Sequence, residues 1–411
     1  MAAHGDRGSY CGDTVRVIAV ILFFNSVLRG MRAPGRWAAT HLLFNYDFGF
    51  TKRALLGSAV AALHIPTLYH YSFFFWFSLV FFAADMMFLL ALLRNALSSG
   101  DNLSRIVALL FASSLGIVFL AHTIGYFEHI TLLVTLVTLR TRGFYARALL
   151  VLVLFSTSLL IHETGFLLFF PVILLRFALD LTTLNTPRRL VVLCILGLLL
   201  SAMTFWIGRA HLDNATVEAM RTALQSTADY HLRQDAFLVL TRALDDNVRM
   251  TFDIWLNPEF RRYFGFSLLV TLPTALYLLR ASLIRISRNP HGIVIGWLAV
   301  IASLAPLSLH FLGWDSARWD TLTITTSFLV FTTISLSSLN DGRTDQPHFL
   351  PLVPVMLIAL NLASGIALFD NYSVQLFPYE GHLADVVDII SGRAPFPPRP
   401  ETCLPAEPNC P

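Results

Sequence analysis

Long apolar runs recur along almost the whole chain, and that recurrence most limits how it can fold. A spanning helix needs about 20 apolar residues, because each adds ~1.5 Å toward about 30 Å of hydrocarbon. Eleven runs reach or approach that length: 15–31, 71–93, 106–122, 127–139, 148–161, 164–179, 190–207, 263–280, 292–309, 320–338 and 349–368. Backbone polar groups inside lipid must be satisfied within the segment, so each run is read as a helix. The expected fold class is therefore all-α, a polytopic transmembrane helical bundle of eleven spans.

Composition narrows the class further. Of 411 residues, 55% are hydrophobic and 13% charged, against about 25% charged in soluble domains. A water-soluble enzyme, a disordered chain and a secreted disulfide scaffold are excluded. The net charge of +3 is spread along the chain, so nucleic acid is not an expected partner. All but one of the 29 basic residues are arginine, Lys52 being the exception; codon bias is the plain explanation. The first run is followed by Arg29, Arg32 and Arg36 with no small-residue cleavage site, so no cleavable signal peptide is expected.

Lys and Arg accumulate in short cytoplasmic loops. With the N-terminus inside, the inner connections 94–105, 140–147, 180–189, 280–291 and 339–348 all carry arginine. The outer turns 123–128, 162–163 and 310–319 carry only Arg318. The first outer loop, 32–70, is basic and conflicts with this pattern. The expected localisation is a bacterial inner membrane, with a cytoplasmic N-terminus and a periplasmic C-terminus. Residues 1–368 form the membrane domain, and 369–411 an extracytoplasmic proline-rich tail in which Cys403 and Cys410 could pair. Cys194 is expected to be buried in a helix. In the outer loop 208–262, Met220, Leu224, Phe237, Leu240 and Leu244 recur at helical spacing. Such helices suit either the membrane interface or a small cap.

Polar residues gather at the outer ends of the runs. They lie in Asn45-Tyr46-Asp47, Thr51-Lys52-Arg53, Tyr126-Phe127-Glu128-His129, His162-Glu163-Thr164 and His310 to Asp320. The runs 127–139 and 148–161 each cover only about 20 Å, so Glu128, His129, His162 and Glu163 are expected below the outer surface. A polar group there must face protein or a water-filled cavity. An outward-facing cavity follows. Membrane lipid would surround it, and a polyprenyl-phosphate-linked sugar and a glycan acceptor would suit its chemistry. Arginine binds phosphate through a planar fork of donors, and Lys52, Arg53 and Arg318 are available. A sugar hydroxyl needs a carboxylate to take its proton, and Asp47, Glu128, Glu163 and Asp315 are candidates. Tyr46, Trp314 and Trp319 could stack on sugars or anchor at the interface.

Structural roles stay open for the same residues. Lys52 and Arg53 could bind lipid phosphates. Asp315 and Arg318, three apart, could lock a helix start, and His162 and Glu163 could cap helices. His129 and His310 are expected among the substrate-binding residues of the cavity. Histidine and carboxylate ligands also suit a divalent metal, but no HxxxH or HExxH spacing occurs, so no cofactor is assigned and a divalent metal stays open. Asp85, inside the second run, is expected to pair with a polar neighbour.

The set Asp47-Phe48-Gly49-Phe50-Thr51-Lys52-Arg53-Ala54-Leu55-Leu56-Gly57, His162-Glu163 and Trp314-Asp315-Ser316-Ala317-Arg318-Trp319 resembles a group of bacterial polytopic proteins. That group is similar to surface-polysaccharide polymerases and to multi-span glycosyltransferases of the GT-C class. The pattern departs at Ala54, where glycine is usual, and at Ser316-Ala317. The resemblance implies short broken spans and a catalytic acid after the first span, which matches Asp47. It also implies donor-phosphate contacts at Arg53 and Arg318. The expected function is glycosyl or oligosaccharide transfer, as transferase or polymerase, from a polyprenyl-phosphate carrier. A transporter or flippase for an anionic lipid or small solute, and a non-catalytic envelope-assembly protein, are the rivals.

Overall fold

The computed structural model describes residues 7–99, 101–183, 187–287, 292–313, 315–337, 352–364, 382–394 and 396. Among them the regular structure is helical, with no strand. A helix lies in each of the eleven apolar runs. Among the described residues six helical stretches are long and apolar enough to cross a membrane: Tyr71–Ser98, Asn102–His122, Phe144–Ile161, Pro187–Arg209, Pro258–Ile286 and Gly292–Phe311.

The chain enters with α1 (Arg7–Gly30), followed by the short α2 (Arg36–Leu42) and α3 (Leu55–Leu63) of the first loop. A long α4 (Tyr71–Ser98) follows. The run expected at 106–122 is not one straight helix. It is α5 (Asn102–Ala112) and α6 (Leu115–His122), interrupted where Ser114 turns to an extended backbone. The Ser113 hydroxyl donates to the Leu110 carbonyl at 3.1 Å, a local bond that competes with the helical ladder. Next come α7 (Glu128–Arg140), then α8 (Phe144–Leu150), which passes through a widened turn at Val151–Phe155 into α9 (Ser156–Ile161). Such widened turns often mark functional positions, and this one lies just before His162.

The second half holds α10 (Gly165–Thr183), α11 (Pro187–Arg209), the cap helices α12 (Asn214–Thr227), α13 (Gln234–Thr241) and α14 (Leu244–Trp255), then α15 (Pro258–Ile286) and α16 (Gly292–Leu304). It closes with α17 (Ser316–Ser335), α18 (Leu352–Ala363) and α19 (His382–Ile390). Helix α17 is the hub. Every residue from Ser316 to Ile334 is buried, with α15 packed along it and α6, α10 and α16 around it. Helix α11 is the opposite case, with Leu190, Ile195, Leu198 and Trp206 all exposed. A helix whose apolar side chains point outward suits contact with lipid. Cys194, expected to be buried, is exposed on that helix.

The 208–262 region folds as a cap over the first loop. Met220, Leu224, Phe237 and Leu240 are buried, and α12 and α13 pack together, with α13 on α2. The Tyr230 hydroxyl donates to the Ala39 carbonyl at 2.9 Å, and the Arg233 amide to the Thr40 hydroxyl at 3.0 Å. The tail, expected only as proline-rich chain, holds α19, with Val386 and Ile389 buried. Cys403, Cys410 and Trp314 lie outside the described residues.

At one end of the bundle, arginines tie helix ends together. Arg285 reaches Asp101 at 2.6 Å and the Ser104 hydroxyl at 2.7 Å. Arg147 pairs with Asp180 and donates to the Thr138 and Thr141 carbonyls at 3.2 and 2.6 Å. Cations at a helix C-terminus satisfy carbonyls that lack intrahelical partners.

Candidate functional site

The polar turns expected on the outer side meet at the other end. The site begins in the first loop. The Asn45 side chain caps a tight turn at Tyr46–Phe48 by accepting the Asp47 amide at 3.1 Å. The chain then reverses through Gly49 (φ 115°) and reaches Arg53 with φ 62°. Few non-glycine residues hold that left-handed conformation. Thr51, Lys52 and Arg53 are buried beneath the cap as a result.

Arg53 grips Glu163 with two donors, Nη2 to Oε1 at 3.0 Å and Nε to Oε2 at 3.4 Å. Its Nη1 also donates to His41 Nδ1 at 3.4 Å. That contact fixes the imidazole: Nδ1 must be the acceptor, so the proton sits on Nε2, which donates to the Ala236 carbonyl at 3.2 Å. Burial and the adjacent Arg53 guanidinium hold the His41 pKa well below its usual range, consistent with the neutral form. For Glu163, burial works against ionisation, but Arg53 and His162 outweigh it and hold its pKa well below the usual carboxylate range.

His162 ends α9 in an extended conformation. Its Nε2 lies 2.8 Å from Glu128 Oε1 at the start of α7 and 3.0 Å from Arg318 Nη2. Arg318 also pairs with Glu128 and, through Nη1, with Asp315 Oδ2 at 3.0 Å. Its guanidinium lies over the rings of Tyr126 and Trp319, 5.0 and 4.6 Å from their centroids, a cation–π arrangement. A continuous polar chain therefore runs from His41 through Arg53, Glu163, His162, Glu128 and Arg318 to Asp315. Four of its members, His41, Arg53, His162 and Arg318, line a small cavity of ≈ 10 Å³ together with Trp37 and Tyr126. That volume holds about one water. Gly125 (φ 96°) borders it, where a Cβ would come within 2.8 Å of Phe74 and 2.9 Å of Pro34.

Four expected residues stand apart. Asp47 is exposed, and its carboxylate makes no ion pair or hydrogen bond with the cluster among the described residues. Lys52 is buried, but its Nζ donates to the Arg242 carbonyl of the cap at 2.5 Å. Burial lowers its pKa, partly offset by Glu163. His129 points away from the cavity. Its Nδ1 is 2.8 Å from Asp85 Oδ2 and its Nε2 is 3.1 Å from the Leu120 carbonyl. Asp85 thus has the polar neighbour expected for it. His310 pairs with Asp320 at 2.8 Å. Sequence reasoning missed Trp37 and His41, whose rings are 3.8 Å apart. Their signal was an i, i+4 pair on α2 within the basic loop. Among the described residues no group of three or more His, Cys, Asp or Glu is placed to hold a metal ion.

No family model, no curated protein and no solved structure matches the chain.

Proposed function

We propose that this chain is a membrane-embedded glycosyl or oligosaccharide transferase, or a polymerase, that uses a polyprenyl-phosphate-linked sugar on the outer face of an inner membrane. One observation carries this reading. Two guanidiniums 265 positions apart, Arg53 and Arg318, meet at the His162–Glu163 turn, Arg53 holding Glu163 and Arg318 reaching His162. They line one cavity. Paired guanidiniums in a low-dielectric setting suit a phosphate or pyrophosphate leaving group. Both are now held by carboxylates, and the cavity is water-sized. Substrate phosphate therefore enters by replacing Glu163 and Glu128 on the guanidiniums as the cavity opens.

Asp47 is assigned as the base that takes the acceptor hydroxyl's proton. Of the four candidate carboxylates, Glu163, Glu128 and Asp315 are each bound to arginine. Asp47 alone is exposed and uncommitted. Tyr126 and Trp319 flank Arg318 where a sugar ring could stack.

The test is reconstitution of the purified chain with polyprenyl-linked sugars and detection of glycan product. Asp47→Asn should lower turnover by about 100-fold or more, the usual size of general-base catalysis. Arg53→Ala and Arg318→Ala should weaken use of the phosphate donor. Normally folded Asp47→Asn and Arg53→Ala variants that retain full product formation would refute these roles. The buried Asp85–His129 pair favours a second reading, transport of an anionic lipid. It requires solvent access to the cavity from both faces, which cysteine labelling on each side would detect.

A further inference from the structure

A second cavity, separate from the arginine cluster, lies between α14, the start of α15 and the turn Ala305–Phe311. It has a volume of ≈ 500 Å³, within the range of small-molecule sites. Its walls are apolar apart from Thr251 and His310: Phe252, Trp255, Phe264, Leu268 and Leu307 make up most of the lining around the His310 ring, and the buried Thr251 hydroxyl is likewise without a hydrogen-bond partner among the described residues. Among the described residues no arginine or lysine lines it. Phe252, Leu256, Leu269 and Phe311 beside it are exposed, so its approaches are apolar and a hydrocarbon chain could enter sideways from lipid.

His310 is held in place on every side but one. Asp320 on α17 takes its Nε2 at 2.8 Å, and Ser267 on α15 donates to the other Asp320 oxygen at 2.5 Å. The Trp255 indole donates to the His310 carbonyl at 3.1 Å. Rings of Trp255 and Phe264 meet the imidazole edge-on. The side chain is only 7% exposed, yet Nδ1 has no partner among the described residues. A buried polar atom without a partner is costly, and here it belongs to a side chain that walls an apolar cavity.

We propose that this cavity binds a single-chain amphiphile with a hydroxyl head, its chain against α14 and α15 and its hydroxyl on His310 Nδ1. A hydroxyl both donates and accepts, so it satisfies Nδ1 whether the shared proton rests on His310 or on Asp320. A phosphate or carboxylate head would enter without a lysine or arginine to meet it. The site is therefore distinct from the phosphate-binding role given to Arg53 and Arg318 and does not depend on it.

The full chain in lipid nanodiscs would be irradiated with a diazirine-bearing hexadecanol and the labelled peptides mapped. Label should fall on the segments holding Phe252 and Trp255, Phe264 and Leu268, or Leu307. Unlabelled hexadecanol should displace it about tenfold better than hexadecane or hexadecyl phosphate, the scale a buried hydrogen bond supports. His310→Phe should keep the labelling and lose the preference for alcohol over alkane, and Leu268→Trp should remove the labelling. Equal competition by alkane, or by the phosphate, would overturn the proposal. So would label spread along the exposed face of α11 instead of this cavity. The competition series needs only the unmodified chain, so it decides the matter even where a variant fails to fold.

Discussion

Arg53 shows how a single side chain can be committed to its place from several directions. Its left-handed backbone costs about 1–2 kcal/mol for a residue with a Cβ. That cost is offset by the bidentate grip on Glu163 and the bond to neutral His41. Removing one partner of a buried pair leaves an uncompensated charge. Glu163→Gln should therefore lower stability by about 3 kcal/mol at neutral pH, read from thermal unfolding in detergent. The pH dependence has a definite sign. The folded pKa of Glu163 lies below its ordinary value of 4.5, so the unfolded chain binds the extra proton in acid. The stabilisation is complete above about pH 4.5 and is lost as pH falls toward the depressed folded value. The gap between wild type and Glu163→Gln should shrink across that acidic window. A gap that stays constant or widens there would show that Glu163 is not held ionised by Arg53.

At the scale of elements, close approach between helices decides what the sequence can tolerate. Where α1 ends against α6, a Cβ on Gly30 would stand 1.8 Å from the Val118 carbonyl oxygen. Backbone cannot yield there as a flexible side chain can. Gly30→Ala should cost at least about 1–3 kcal/mol, the usual penalty of overpacking, seen as a lower unfolding temperature. Gly197 on α11 provides the contrast, with nothing within 4 Å of the same added atom. Gly197→Ala should be neutral or stabilising by up to about 1 kcal/mol, from helix propensity alone. Equal losses at both positions would mean that α1 and α6 are not packed this closely. The apolar runs made the helices legible, because run length and bilayer thickness share one scale. The sequence did not show which way each polar side chain turns at a helix end. His129 and Glu128 are neighbours, yet one faces Asp85 and the other Arg318. A rotation of about 100° per residue separates them, and only packing fixes which face is inward. His310 is a similar case, drawn to Asp320 by the turn that precedes α17.

For the whole molecule, the two ends of the bundle use arginine differently. At one end, Arg147 and Arg285 close helix termini against acidic partners and carbonyls, so these two serve the structure as well as any bias toward the cytoplasm. At the other end, Arg53 and Arg318 face a cavity. If the second end is outermost, a cysteine-free background with single cysteines should report it. An impermeant maleimide on intact cells should label Asp47→Cys and Asp213→Cys, both exposed at the capped end, but not Arg142→Cys or Ser99→Cys, exposed at the opposite end. The reverse pattern would invert the chain and move the arginine cluster to the cytoplasm, removing the outer-face reaction proposed above. Labelling of one residue from each pair would break the alternation of helices on which both orientations rest. The experiment thus separates the direction of insertion, which charge bias alone suggested, from the convergence of the polar turns, which the described contacts place at a single end.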